Sequence, residues 1–101
     1  MTQQELKDNE FHYTPEIART KAKEAFNWRD YIQKYIDKYV DIAVKDAKFT
    51  TYVEIPKPER FDYDETRDHL LYAARQLGWR CAPSSKSVMG YVYIELFWDE
   101  E

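Results

Sequence analysis

Residues 28–55 read WRDYIQKYIDKYVDIAVKDAKFTTYVEI, and the spacing of the apolar side chains changes within this stretch. Up to residue 47 apolar side chains recur every three or four positions with charged ones between them, which is the period of an amphipathic helix. Over residues 49–55 the chain is rich in β-formers, and the odd-numbered side chains alternate with the even-numbered ones, which is typical of a strand. A helix followed at once by a strand predicts an α+β chain.

The predicted helix has a wider apolar arc than one core requires. The arc spans about 180°, whereas about 100° is enough for a surface helix that packs on one core. The surplus predicts a second contact, so we expect a non-enzymatic protein–protein interaction module that self-associates into a homo-oligomer. The candidate interface residues are Trp28, Tyr31, Tyr35, Tyr39 and Ile42.

The start of this helix is marked upstream by Thr14, Pro15 and Glu16. They supply a capping hydroxyl, a proline suited to the first helical position and an acid near the positive end of the helix dipole. An unbroken helix over residues 15–48 would be about 50 Å long, which exceeds a compact domain of this size. We therefore expect the helix to bend or break at residues 27–29, or to project.

Downstream, Pro56 ends the first strand because proline has no N–H to donate. Acids at residues 62–64 predict a second helix, which Gly78 ends as a left-handed C-cap. Strands over residues 79–82 and 88–98 follow and are expected to pair as a hairpin. The prediction is a long N-terminal helix, then strand–helix–strand–strand, with a small three-stranded sheet packed against the helices.

The chain has the size and composition of one folded domain. Its 101 residues are 44% hydrophobic and 17% aromatic, which is one ordinary domain in length and too apolar for a disordered chain. We expect a flexible polar tail over residues 1–12, a single α+β domain over residues 13–98 and an acidic tail over residues 99–101.

Charge and cysteine content exclude several classes of protein. The net charge of −4 lacks the basic excess of a general duplex-DNA binder. Cys81 is the only cysteine, so an intrachain disulfide and a multi-cysteine zinc site are excluded and a reducing compartment is favoured. No apolar run approaches the about 20 residues of a membrane span. We expect no signal peptide, no membrane partner and a cytoplasmic location.

The titratable side chains form no recognisable catalytic pattern. His12 and His69 do not make a pair of metal ligands at helical spacing. Cys81 with His69 would be a nucleophile–base pair, but a lone cysteine in a short strand is interpreted as a small buried hydrophobe. Acids at residues 62–65 fit a helix N-terminus better than a calcium loop. We expect no catalytic residue, no cofactor and no metal.

The last strand places aromatic side chains on one face of the predicted sheet. If no helix covers this face, its rings can stack on single-stranded bases. If the long helix covers it, the same rings belong to the hydrophobic core. We expect the helix to cover it, because its apolar arc needs a surface, and we keep single-stranded nucleic-acid binding as the alternative. The candidate residues for that alternative are Tyr52, Arg80, Tyr91, Tyr93 and Phe97.

Two short motifs carry a resemblance to a known group of proteins. Residues 77–81 read LGWRC, a leucine–glycine–aromatic–x–apolar junction, and residues 93–98 read YIELFW, a strand ending in tryptophan. Over residues 13–98 the chain resembles small bacteriophage-encoded proteins of unknown function, although Ala47 and Lys48 stand where a glycine commonly follows the helix. The resemblance implies a phage origin, action by binding and modulating a host factor in the host cytoplasm, and no catalytic residues.

Overall fold

The computed structural model describes residues 13–86 and 88–99, and within them the chain forms three helices and three strands. These are α1 (Pro15–Glu24), α2 (Trp28–Lys45), β1 (Thr50–Pro56), α3 (Tyr63–Gln76), β2 (Arg80–Pro83) and β3 (Tyr91–Phe97). The α+β class is confirmed. The predicted tail over residues 1–12, with His12, lies outside the described residues, as do residues 87, 100 and 101.

The long N-terminal helix is two helices, α1 and α2. α1 begins as predicted, with the Thr14 hydroxyl accepting a hydrogen bond from the Ile17 N–H at 3.1 Å. The helix is interrupted at residues 25–27, and the Asn27 side chain then accepts from the Asp30 N–H at 3.1 Å. Asparagine is a strong N-cap because its side chain satisfies a backbone donor that has no partner within the helix. Of the expected outcomes, a bend or break at residues 27–29 or a projecting helix, the structure shows a break, and it lies slightly upstream, at residues 25–27.

α2 and α3 end in the same Schellman-type turn, in which one residue takes a left-handed conformation. At α3 this residue is Gly78, with a φ of 96°, as predicted. At α2 it is Ala47, with a φ of 59°, and the Lys48 N–H donates back to the Ala43 carbonyl at 2.9 Å. Ala47 therefore occupies the position that glycine occupies in α3.

The sheet has the order β1-β3-β2, and both pairs are antiparallel. The predicted hairpin of the last two strands is confirmed, and β1 joins the same sheet on the free side of β3. Val53 lies opposite Ile94, and Cys81 lies opposite Leu96. These pairs place the aliphatic side chains of β1 and β3 on one face and the aromatic ones on the other, because residues directly opposite one another share a face.

Both α2 and α3 pack on the aliphatic face. They also contact each other, which keeps them on the same side of the sheet. The core cluster consists of Ile32, Ile36, Val53, Ile55, Leu70, Leu71, Ala73, Ala74, Val92, Ile94 and Leu96. The prediction that the long helix covers the aromatic face is therefore wrong. A second helix had to share the sheet, and packing it against α2 left the other face without a helix from residues 13–86 and 88–99.

Candidate interaction surface

The face of the sheet that faces away from the helices carries aromatic rings, and we call it the open face. It is formed by residues 50, 52, 54 and 56 of β1, residues 91, 93, 95 and 97 of β3, and residues 80 and 82 of β2. Tyr52 is 54% exposed and Tyr91 is 38% exposed, whereas Tyr93 between them in the sheet is 5% exposed. The five residues of the nucleic-acid alternative are brought together here.

Glu54 connects the central strand of this face to α2. One of its carboxylate oxygens accepts a hydrogen bond from the Tyr93 hydroxyl at 2.5 Å, and the other accepts from the Tyr39 hydroxyl at 3.3 Å. The bond to Glu54 raises the pKa of Tyr93 to about 12, and burial together with Glu54 raises the pKa of Tyr39. Sequence reasoning missed Glu54, although an acid within a run of β-formers was a usable signal.

Positive charge borders the open face on the β2 side. The Lys86 amino group lies 4.8 Å from the centre of the Tyr93 ring, and the Arg80 guanidinium lies 5.6 Å from the centre of the Phe97 ring. Both distances allow cation–π attraction. Arg80 also pairs with Asp99 at 3.0 Å. The face thus has cations along one margin, while its carboxylates, Glu54 and Glu95, lie on β1 and β3.

The aromatic residues predicted as an α2 interface are largely used inside the subunit. Trp28, Tyr31, Tyr35 and Tyr39 are partly buried and pack against the core cluster. The Lys34 amino group lies 5.4 Å from the centre of the Tyr31 ring and 5.2 Å from that of Tyr35, and both distances allow cation–π attraction. Ile42 is the exposed member of the predicted set, at 53%.

The tyrosines of α2 lie along the outer edge of β1. The Trp98 N–H donates to the Phe49 carbonyl at 3.0 Å and the Lys57 N–H to the Gly90 carbonyl at 2.8 Å. The backbone N–H and C=O groups of the odd-numbered β1 residues therefore bond to β3. Those of the even-numbered residues point away from β3, toward the outer edge of the sheet. The outward Pro56 carbonyl accepts from the Tyr31 hydroxyl at 2.5 Å. Capping an edge in this way limits pairing with another strand.

The titratable side chains considered for catalysis are dispersed. His69 stacks on Trp28, with ring centres 4.8 Å apart and planes 8° apart. The Cys81 thiol donates to the Leu71 carbonyl at 3.6 Å, and burial raises its pKa, which disfavours the reactive thiolate. No hydrogen bond joins His69 to Cys81 among the described residues.

The acids at residues 62–65 have a structural role. The Asp62 carboxylate accepts from the Glu65 N–H at 2.7 Å, and the Glu65 carboxylate accepts from the Asp62 N–H at 3.1 Å, which makes a capping box at the start of α3. Residues 13–86 and 88–99 contain no cluster of three metal-binding side chains. None of the helices in this part of the chain has the length and apolarity of a membrane span.

No family model, no curated protein and no solved structure matches this chain. The resemblance to small phage proteins, drawn from residues 77–81 and 93–98, stays a prediction.

Proposed function

We propose that this protein is a non-enzymatic interaction module that self-associates through the open face of its sheet. The observation that carries the proposal is that both packed helices lie on one side of the sheet, while Tyr52 is 54% exposed on the other. Exposed aromatic rings are enriched at protein interfaces. The sheet face takes the place of α2 as the interface because the α2 tyrosines already have partners.

The distribution of charge favours a second copy as the partner. Lys86 and Arg80 border the β2 margin, Glu54 lies on β1 at the opposite edge, and Glu95 lies on the central strand between them. A two-fold, face-to-face arrangement brings the cations of each copy over the carboxylates of its partner, as a self-complementary interface requires. Aromatic rings between them then stack and exclude water.

The size of the face sets the expected strength of the contact. It is three strands wide, and its two longer strands have seven residues each. Stable interfaces bury about 800 Å² on each partner, more than so narrow a sheet offers. We expect a weak dimer, with a dissociation constant on the order of 10–100 μM.

Single-stranded nucleic acid is the competing occupant of the same face. The rings beside Arg80 and Lys86 favour base stacking, but the carboxylates of Glu54 and Glu95 repel phosphates and the net charge is −4. We therefore expect no binding of a fluorescein-labelled oligothymidylate in a fluorescence-polarisation titration at low salt. Tight binding there, lost on replacing Tyr52, would assign the face to nucleic acid instead.

Analytical ultracentrifugation over a range of concentrations tests self-association. Tyr52→Thr removes the exposed ring but keeps a β-former, and we expect it to weaken the dimer by about tenfold or more. Tyr72→Ala is the matched control, since Tyr72 is 62% exposed on α3, away from the sheet, and it should leave the dimer unchanged. A wild-type chain that stays monomeric at about 500 μM, well above the expected dissociation constant, overturns the proposal.

A further variant separates the open face from the helix surface. Ile42→Gln alters the exposed residue of the α2 set without introducing charge. If the open face is the contact, Ile42→Gln associates like the wild type. If Ile42→Gln dissociates the dimer and Tyr52→Thr does not, the interface lies on α2 and the open-face assignment is wrong.

A further inference from the structure

A cleft separates the second half of α1 from the loop that precedes α3. Its volume is about 650 Å³, and Arg19, Lys23, Phe26, Arg60 and Phe61 contribute to its lining. Phe26 and Phe61 lie with ring centres 5.3 Å apart and give the cleft an apolar floor. Pockets that hold organic ligands have volumes of about 300–1,000 Å³. The cleft contains no residue of the open face.

The walls of the cleft are fixed by hydrogen bonds. The Lys57 amino group donates to the Phe61 carbonyl at 2.8 Å and closes the loop around residues 58–60. On the other wall, the Lys23 amino group donates to the Glu65 carboxylate at 3.2 Å and lies 5.1 Å from the centre of the Phe61 ring. The loop wall is therefore held in place before any ligand binds, which reduces the entropy lost there on binding. The α1 wall contains no buried residue and is joined to α3 through the partly exposed Lys23–Glu65 ion pair.

Arg60 is held in an unfavourable backbone conformation. Its φ is 79°, in the left-handed region where an L-residue is disfavoured by about 1–2 kcal/mol and where glycine is comfortable. The strained turn directs an arginine to the cleft lining. Strained residues that the surrounding structure holds in place concentrate at binding sites.

The cleft carries a net positive charge. Lys23 is paired with Glu65 at 3.2 Å. No ion pair or hydrogen bond engages the guanidinium of Arg19 or Arg60 within residues 13–86 and 88–99. Glu59 is the carboxylate in the lining. Two guanidinium groups beside an apolar floor present donors that match a carboxylate.

We propose that this cleft binds an acidic peptide segment of a partner protein, with an aromatic side chain of the peptide on Phe26 and carboxylates at Arg19 and Arg60. The cleft is open and mostly apolar, so it fits an aromatic side chain and the flanking residues of a peptide better than a small isolated anion. Glu59 disfavours a dianionic phosphate, because it adds repulsion at the same site. The proposal is independent of self-association, since the two surfaces share no residue.

Fluorescence polarisation with designed peptides tests the site. The probe is the fluorescein-labelled peptide Glu-Asp-Phe-Asp-Glu. One control peptide, Gln-Asn-Phe-Asn-Gln, lacks the acidic side chains, and the other, Glu-Asp-Ala-Asp-Glu, lacks the aromatic side chain. We expect each control peptide to bind about tenfold more weakly or worse, because each loses one of the two contacts. Equal binding of all three peptides would contradict the proposal.

The decisive variant is Arg60→Gly. Glycine suits the left-handed backbone, so the variant should unfold at the same temperature as the wild type or higher, while binding of the acidic probe falls about tenfold or more. Arg19→Gln should weaken binding similarly, and Arg29→Gln, an exposed arginine outside the cleft, should not. Unchanged binding by a stable Arg60→Gly chain overturns the site.

Discussion

At the scale of single residues, the ends of α2 and α3 provide a natural comparison. Both helices end in the same hydrogen-bonded turn, yet the left-handed position is Ala47 in one and Gly78 in the other. A Cβ atom in this conformation clashes with the neighbouring carbonyl oxygen, and glycine avoids the clash. The resemblance to phage proteins implies a glycine near Ala47, and the structure shows why glycine would suit this position, because Ala47 has a left-handed backbone.

Ala47→Gly should therefore stabilise the fold by about 0.5–1 kcal/mol, because relief of the left-handed strain exceeds the added flexibility of the unfolded chain. Urea unfolding followed by tryptophan fluorescence measures the change. The reverse substitution, Gly78→Ala, should destabilise by a similar or larger amount. A lower free energy of unfolding for Ala47→Gly would show that the turn is not strained.

At the scale of secondary-structure elements, tyrosine hydroxyls connect α2, β1 and β3. Tyr31 joins α2 to the Pro56 carbonyl, while Tyr93 of β3 and Tyr39 of α2 share the Glu54 carboxylate. Each bond needs a protonated phenol as its donor. Burial raises the pKa of Tyr31 to about 12, and the hydrogen bond to Glu54 raises that of Tyr93 to about 12.

These shifts predict an alkaline loss of stability. The unfolded tyrosines lose their protons near pH 10.0, whereas the folded ones keep them to about 12. The contribution of these groups to stability is therefore complete below pH 10 and is lost as the pH rises through this window. Urea unfolding across the window should show a falling free energy, and the Tyr31→Phe, Tyr93→Phe double variant should show a shallower fall. Equal slopes would contradict the raised pKa values of Tyr31 and Tyr93.

At the scale of the whole molecule, the described part of the chain forms a sheet with helices packed on one side only. This layer of helices buries the aliphatic side chains of β1 and β3, with Val53, Val92 and Leu96 all 0% exposed. On the opposite face Tyr52 and Tyr91 stay partly in solvent. This asymmetry is the physical basis of the proposed dimer.

If the folded chain dimerises through the open face, its thermal stability must depend on concentration. Mass action stabilises a folded dimer as the protein concentration rises, because only the folded state associates. The unfolding temperature of the wild type should therefore increase over a hundredfold concentration range, and that of Tyr52→Thr should not. Differential scanning calorimetry distinguishes the two, and a wild-type midpoint independent of concentration would contradict self-association.

The sequence by itself determined the elements and most of their ends. Thr14 and Asp62 mark helix starts and Gly78 a helix end by local chemistry, so each was predicted without tertiary contacts. The break before α2 was expected near residues 27–29 from the length of the helix, whereas the capping role of Asn27 emerged only in the structure. The alternation of side chains along β3 likewise predicted that its aromatic and aliphatic residues lie on opposite faces of the sheet.

Only the tertiary structure decided which face of the sheet the helices cover. Both faces carry large apolar side chains, aliphatic on one and aromatic on the other, so the alternation of side chains did not show which face the helices cover. The contact between α2 and α3 placed both helices on the aliphatic side. The cleft likewise depends on residues far apart in sequence, Arg19 and Arg60, which the break after α1 and a left-handed turn bring together. Such juxtapositions have no local pattern, because they arise from packing of whole elements.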